Sequence, residues 1–137
     1  MKYLTFFLLT LSFISLKSQS LEKSDYIKEK GKIFIAIFES QQFRDIYKDS
    51  IIYIESNDII SQKDNLKGIN AVLISNPNEF DNLNYIVIGD FTVDEKNLKT
   101  ARVQIEIFPI NILLNFRLIK SDENWIIANF CSFLQDN

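Results

Sequence analysis

The residues that could carry proton chemistry in this sequence are carboxylates and tyrosines, because the chain contains no histidine. Histidine is the usual general base near neutral pH, and its absence excludes histidine-dependent triads and histidine–aspartate pairs. Asp90 stands in phase with Ile86 and Ile88 of a strand-like run, which makes its carboxylate the first candidate base. The tyrosines that could assist it are Tyr47, Tyr53 and Tyr85.

A carboxylate and a tyrosine in one pocket are groups that ketosteroid isomerase uses to move a proton. A histidine-free isomerase or dehydratase is therefore one function that these residues allow. The structural alternative is that the aspartate caps or bends a strand end and that each tyrosine packs in an apolar stretch. The sequence has no phosphate-binding glycine loop, cysteine pair, EF-hand spacing or G-x-S-x-G elbow. We assign no catalytic residue, metal ligand or cofactor.

The most informative region is NFRLIKSDENWIIANF, residues 115–130, which predicts a hairpin and contains the only tryptophan, Trp125. If residues 121–124 connect its strands, the predicted cross-strand pairs are Lys120 with Trp125, Leu118 with Ile127, Phe116 with Asn129, and Leu114 with Cys131. Trp125 and Asn129 then share an apolar face directed toward the core. A buried amide without a hydrogen bond costs about 1–3 kcal/mol. Asn129 therefore indicates a polar contact or a cavity, and Trp125 is either the wall of that cavity or a wedge of the core.

The opposite face of this hairpin is more apolar than a solvated sheet face requires, since it carries Ile119, Ile126 and Phe130 beside Arg117. We predict either a homodimer contact on this patch or its coverage by the C-terminal tail or by crowded side chains. Cys131 is the single cysteine and cannot form an internal disulfide. We predict that it is a buried free thiol, with pairing to another chain as the alternative.

Residues 1–20 have the pattern of a secretory signal peptide. Lys2 gives a positive start, residues 3–16 form an uncharged apolar run, and Ser18 and Ser20 have the spacing of a cleavage site. The run is 14 residues long, against the roughly 20 that a membrane-spanning helix needs. We therefore predict a secreted or periplasmic protein with no membrane anchor after cleavage, and a single domain over residues 21–137.

The charge pattern argues against nucleic acid as a partner. The net charge is −3, and it becomes −5 when Lys2 and Lys17 leave with the signal peptide. Charges of both signs are interleaved, as in EKSDYIKEKGK at residues 22–32, and no basic stripe alternates with aromatic residues.

Hydrophobic periodicity predicts helices in the first half of the chain and strands in the second. The predicted helical segments are residues 24–41, with Gly31 inside, then 43–49 and 64–75. Two β-branched runs around residues 56–58 predict a small hairpin between the second and third helices. The later strand-like runs are residues 84–93, 101–108, 110–119 and 125–133. This order predicts an α+β fold, with N-terminal helices packed on a curved four- to six-stranded antiparallel sheet.

Two local patterns add a resemblance to this order of elements. GINAV at residues 68–72 resembles a G-x-x-A-I/V pattern at the start of a third helix, and KSDENWII at residues 120–127 resembles a terminal K-x-D-G-x-W-x-I hairpin. Together they resemble the nuclear transport factor 2-like superfamily, also called SnoaL-like or cystatin-like cone proteins. The resemblance implies a cone-shaped pocket between sheet and helices, and dimers formed through the sheet in many members. It does not fix the activity, because isomerases, dehydratases, ligand carriers and non-catalytic partners share that fold.

The function predicted from these observations is an exported, non-catalytic domain that binds a small apolar ligand or a protein partner. The predicted ligand-contacting residues are Trp125, Asn129, Asp90, Tyr47 and Tyr53. The alternatives are the histidine-free isomerase or dehydratase, and a structural or interaction protein with a closed core.

Overall fold

The computed structural model describes residues 25–61, 66–94 and 96–136, and the predicted signal peptide at residues 1–20 lies outside them. Residues 25–38 are helical and form α1. The remaining elements are α2 (Gln41–Ile46), β1 (Ile52–Glu55), β2 (Ala71–Ile74), a turn of 3-10 helix (Pro77–Glu79), β3 (Tyr85–Val93), β4 (Thr100–Phe108), β5 (Ile112–Ser121) and β6 (Asn124–Leu134).

Helix α1 buries the apolar stripe that its spacing predicts. The side chains of Ile33, Phe34, Ile37 and Phe38 have no solvent exposure, whereas Ile27, near the start of the described helix, is exposed. Gly31 lies within α1. Its cost of roughly 1 kcal/mol relative to alanine is small beside the burial of two phenylalanines and two isoleucines.

Helix α2 begins two residues earlier than predicted because Ser40 caps it. The Ser40 hydroxyl accepts a hydrogen bond from the Phe43 backbone N–H at 3.2 Å, which satisfies one of the free donors at the helix start. The helix ends at Ile46 rather than residue 49, and it buries Phe43 against the ring of Phe38 at 5.1 Å between centroids.

The predicted hairpin around residues 56–58 is wrong, because Asn57 turns the chain without returning it as a strand. Its side-chain oxygen accepts hydrogen bonds from the N–H groups of Ile59 and Ile60 at 2.9 and 3.0 Å. Its amide nitrogen donates to the Ile88 carbonyl at 2.9 Å, which ties the turn to β3. The turn residue prediction is thus correct, but Ile60 is buried in the core instead of in a second strand.

The predicted helix over residues 64–75 is also wrong where the structure describes it. Gly68 has a φ of +90°, which a right-handed helix does not allow. Residues Ala71–Ile74 form β2, and they pair in parallel with β1 from Ile52 opposite Ala71 to Glu55 opposite Ile74. The hydrogen bonds of this distant partner strand therefore override the local helical spacing.

Within the described residues, six strands form one open sheet in the order β2-β1-β3-β4-β5-β6. Strands β3 to β6 form the predicted antiparallel meander, whereas β1 pairs in parallel with both β2 and β3. Helix α1 packs on one side of the sheet, where the ring of Phe34 lies 5.2 Å from that of Phe91 on β3. The predicted α+β class is confirmed, with a sheet that is mostly rather than wholly antiparallel.

The two sides of the sheet differ sharply in composition. We call the side covered by α1 the inner face, and its buried residues include Ile86, Ile88, Val103, Ile105, Leu114, Phe116 and Leu118. We call the opposite side the outer face. On β4 and β5 the outer face carries Arg102, Gln104, Asn115 and Arg117, in alternation with the buried residues. Predicted site residues can form one site only if their side chains lie on the same face of the sheet.

Candidate functional site

Two β-bulges in the described sheet determine the composition of each face. In β3, Ile88 pairs with Ile105 and Asp90 pairs with Gln104, so Gly89 is an extra residue without a partner. In β6, Ile127 pairs with Leu118 and Asn129 pairs with Arg117, so Ala128 is extra in the same way. Each inserted residue inverts the alternation of side chains that follows it.

The prediction that Asp90 lies in phase with Ile88 is therefore wrong. Gly89 moves the carboxylate to the outer face, opposite Gln104, where Asp90 is exposed. Phe91 takes the inner position instead and packs against Tyr26 and Phe34 of α1. The bulge thus exchanges an aspartate for an aromatic ring on the core side.

The prediction that Asn129 shares the face of Trp125 is wrong for the same reason. Trp125 precedes the bulge and stays on the inner face with 7% of its surface exposed. Asn129 follows the bulge, pairs with Arg117 and is exposed on the outer face. The predicted pairs of Trp125 with Lys120 and of Ile127 with Leu118 are confirmed, since both lie before Ala128 in β6.

The predicted pairs beyond Ala128 change register. Phe130 replaces Asn129 opposite Phe116, and their rings lie 4.9 Å apart on the inner face. The predicted dimer patch therefore loses Phe130 and keeps Ile119 and Ile126 on the outer face; the dimer itself stays a prediction.

Cys131 pairs with Asn115 and is exposed, so the prediction of a buried thiol is wrong.

The two bulges bring Asp90 and Asn129 into one depression on the outer face. We call it the polar groove; its volume is about 210 Å³. Its polar lining consists of Asp90, Arg102, Gln104, Asn115, Arg117 and Asn129. The groove was missed in the sequence because its residues come from four strands and because Asp90 and Asn129 were assigned to the other face. The alternating polar residues of β4 were the available signal.

Two arginines dominate the charge of the polar groove. Arg102 and Arg117 are direct cross-strand partners. Neither forms an ion pair with a carboxylate of the described residues. A second depression of about 300 Å³ adjoins both arginines and extends toward Thr92 and Thr100. The Gln104 amide donates to the Asn115 side-chain oxygen at 3.3 Å, which orients the amides at the floor of the groove.

Tyr47 and Tyr53, the other predicted ligand residues, lie outside the polar groove. The Tyr47 hydroxyl is buried, donates to the Asn84 carbonyl at 2.9 Å and accepts from the Tyr53 N–H at 3.2 Å. Burial raises the pKa of Tyr47, and the nearby Asp49 charge raises it further. The hydroxyl of Tyr47 thus links its own segment to Tyr53 and to Asn84, which is a structural role. Tyr53 contributes only its backbone N–H to this contact.

An ionic cluster around the buried Glu29 on the inner face was also missed in the sequence. The Trp125 indole N–H donates to Glu29 Oε2 at 2.6 Å, and Lys120 Nζ donates to Glu29 Oε1 at 2.9 Å. Lys32 Nζ lies 3.5 Å from Glu29 Oε1 and 3.4 Å from Glu123 Oε2. We call this set the Glu29 cluster. Glu29 is four residues before Ile33, on the buried stripe of α1, and that spacing was the available signal.

The protonation of Glu29 follows from these contacts. Glu29 has only 6% of its surface exposed. Burial alone would raise the pKa of Glu29, but the hydrogen bonds from Lys120 and Trp125 and the charge of Lys32 outweigh it, so the pKa lies below its usual value. Trp125 is therefore a wedge of the core with a polar contact to α1, which resolves the two alternatives for this residue.

In the described part of the chain, no three histidine, cysteine, aspartate or glutamate side chains are placed to hold a metal ion. None of the helices described is both long enough and apolar enough to cross a membrane.

Comparison of the chain with protein-family models, with curated proteins and with solved structures finds no match. The resemblance to the nuclear transport factor 2-like superfamily therefore stays a prediction.

Proposed function

We propose that this chain is an exported, non-catalytic binding domain that holds a protein partner on the outer face of its sheet. In this proposal an acidic side chain of the partner lies between Arg102 and Arg117. The observation that carries it is the direct pairing of these two arginines without an ion-pair partner among the described residues.

The physical argument is that paired arginines are unfavourable in the free protein. Like charges directly opposite each other in a sheet destabilise it, on the scale of about 0.2–1 kcal/mol. A carboxylate that bridges both guanidinium groups removes this repulsion and gains charge-assisted hydrogen bonds. The amides of Gln104, Asn115 and Asn129 offer further donors and acceptors beside it.

Strand β6 supports a protein partner over a small apolar ligand. β6 is the last strand of the sheet order, so one of its edges has no strand partner among the described residues. The strand Asn124–Leu134 contains no charged residue and no proline, the devices that usually protect an edge. Ile126, Phe133 and Leu134 are exposed on it. A partner that binds the polar groove, which Asn129 helps to line, can extend over this edge.

The positions of the candidate acid–base residues give the isomerase or dehydratase alternative no support. The Tyr47 hydroxyl is occupied by backbone groups on the buried side of the chain. Tyr85 lies five residues before Asp90 on β3, about 16 Å away at the usual rise of a strand. Tyr53 lies beside Tyr85, since Ile54 pairs with Ile86.

The experiment is site-specific photo-crosslinking in cells that produce the protein naturally. A photoreactive phenylalanine derivative replaces Asn129 in the groove or, as the control, Gln42 on the exposed side of α2. We expect a discrete heavier band from position 129 and none from position 42. Reversal of the groove charge by Arg102→Glu with Arg117→Glu removes the band, whereas Lys28→Glu on α1 leaves it.

Absence of the band at position 129, or a band that survives charge reversal in the groove, contradicts the proposal. The first result favours the structural protein with a closed core. Export is supported by the pattern of residues 1–20 and is tested separately by cell fractionation, with Leu21 as the expected first residue of the mature chain.

A further inference from the structure

An aromatic cleft lies on the outer side of the sheet, away from the arginines. Its volume is about 480 Å³, within the range of roughly 300–1,000 Å³ that is usual for small-ligand sites. We call it the aromatic cleft, and its lining includes Phe80, Tyr85, Phe108, Asn78, Asp81 and Asn82. It shares no lining residue with the polar groove.

Three aromatic rings line the cleft, and two of them are stacked on each other. Tyr85 and Phe108 are direct cross-strand partners, and their rings are stacked with centroids 5.3 Å apart and an angle of 17° between planes. Phe80 stands in the loop before β3 with 47% of its surface exposed. The exposed ring of Phe80 is thus an apolar surface on which a ligand can pack.

Three polar side chains of the cleft are short and closely spaced in the chain. Asn78, Asp81 and Asn82 have no side-chain hydrogen bond or ion pair within the described residues. No lysine or arginine lines the cleft, so it has nothing to neutralise an anionic ligand. Its amides both donate and accept hydrogen bonds, and the Asp81 carboxylate only accepts.

We propose that the aromatic cleft is a binding site for a neutral oligosaccharide. A pyranose ring has an apolar C–H face that stacks on aromatic rings, and its hydroxyl groups both donate and accept at its rim. A proline-rich segment also docks on aromatic grooves. It suits this cleft less well because proline has no N–H to donate to the Asp81 carboxylate.

The test is isothermal titration calorimetry of the purified protein with cellohexaose, with maltohexaose and with decaproline. We expect at least one hexasaccharide to bind with a dissociation constant in the millimolar range or below. Phe80→Ala weakens this binding at least tenfold, and Phe80→Tyr, which keeps a ring, retains it. Asp81→Ala weakens it several-fold because a hydroxyl of the sugar loses its acceptor.

Val72→Ala is the matched control, because Val72 is an exposed apolar residue of β2 that does not line the cleft. We expect it to leave the binding unchanged. Three results overturn the proposal: neither hexasaccharide binds, the binding is insensitive to Phe80→Ala, or decaproline binds more tightly than both sugars. Phe80 and Asp81 are exposed, and near-ultraviolet circular dichroism verifies that each variant is folded.

Discussion

The Glu29 cluster and the polar groove place charged side chains in opposite circumstances on the two faces of one sheet. Glu29 is buried, and both its oxygens accept hydrogen bonds, from Trp125 and Lys120. Arg102 and Arg117 lie open on the outer face, and each has the other's charge as its cross-strand neighbour. The inner-face charge of Glu29 is thus compensated within the fold, whereas the two outer-face arginines have no ion-pair partner among the described residues.

The largest expected effect comes from Trp125→Ala on the inner face. We expect the free energy of unfolding to fall by about 3–5 kcal/mol, because a large core side chain is lost and Glu29 loses a donor. Ile126→Ala changes the next residue, which is 49% exposed on the outer face, and should cost only about 0.5 kcal/mol. Urea denaturation measures both. Equal losses would show that the faces of β6 are assigned wrongly.

A smaller effect is expected from Glu29→Gln, and it should depend on pH. At neutral pH we expect a loss of about 1–3 kcal/mol in the free energy of unfolding, because Lys120 loses a charged acceptor. The folded-state pKa of Glu29 is lowered, so its contribution is complete above the ordinary glutamate pKa of about 4.3 and is lost as the pH falls through the lower folded value.

The measurement is a pair of pH–stability curves, for the natural chain and for Glu29→Gln. The gap between the curves should narrow as the pH falls below about 4.3. Glu123→Gln is the matched control, since the Glu123 side chain is 85% exposed in the same cluster, and its curve should follow the natural one. A gap that is constant over the acid range would mean that the Glu29 charge does not contribute.

The smallest effect is expected from Arg102→Gln or Arg117→Gln on the outer face. We expect either change to raise the free energy of unfolding by about 0.2–1 kcal/mol at low salt, because it removes the repulsion of like charges. The gain should shrink as salt is added. The double variant should gain no more than either single one, which a double-mutant cycle measures. A loss of stability in the single variants would mean that the arginines have stabilising partners.

The strands of the meander were predictable from sequence because each is a run rich in β-branched and aromatic residues between short polar connections. Local patterns were insufficient for β2, where residues 71–74 have helical spacing but pair with β1, a strand nearly twenty residues earlier. Parallel pairing depends on a distant strand, and a window of sequence around Ala71 does not contain that strand.

The candidate site depended on two bulges, and these differ in how well the sequence indicates them. Gly89 is a glycine inside a strand pattern, which often signals a bulge. Ala128 gives no such signal, since alanine has no special backbone preference that would mark a bulge. One inserted residue was enough to place Asn129 and Cys131 on the wrong face, whereas Trp125, close to the predicted turn, was placed correctly.

Cys131 gives the most direct test of the bulges. The bulge at Ala128 places its thiol on the outer face, and the regular register places it in the core. The measurement is the rate at which a disulfide reagent such as 5,5′-dithiobis(2-nitrobenzoate) modifies the folded protein. The rate for the urea-unfolded chain is the reference, and Ala101→Cys with Cys131→Ser is the buried control. We predict that Cys131 reacts in the folded protein at a rate close to that of the unfolded chain, while the buried control is protected. A folded protein in which Cys131 is protected as strongly as the control would contradict the assignment of the two faces.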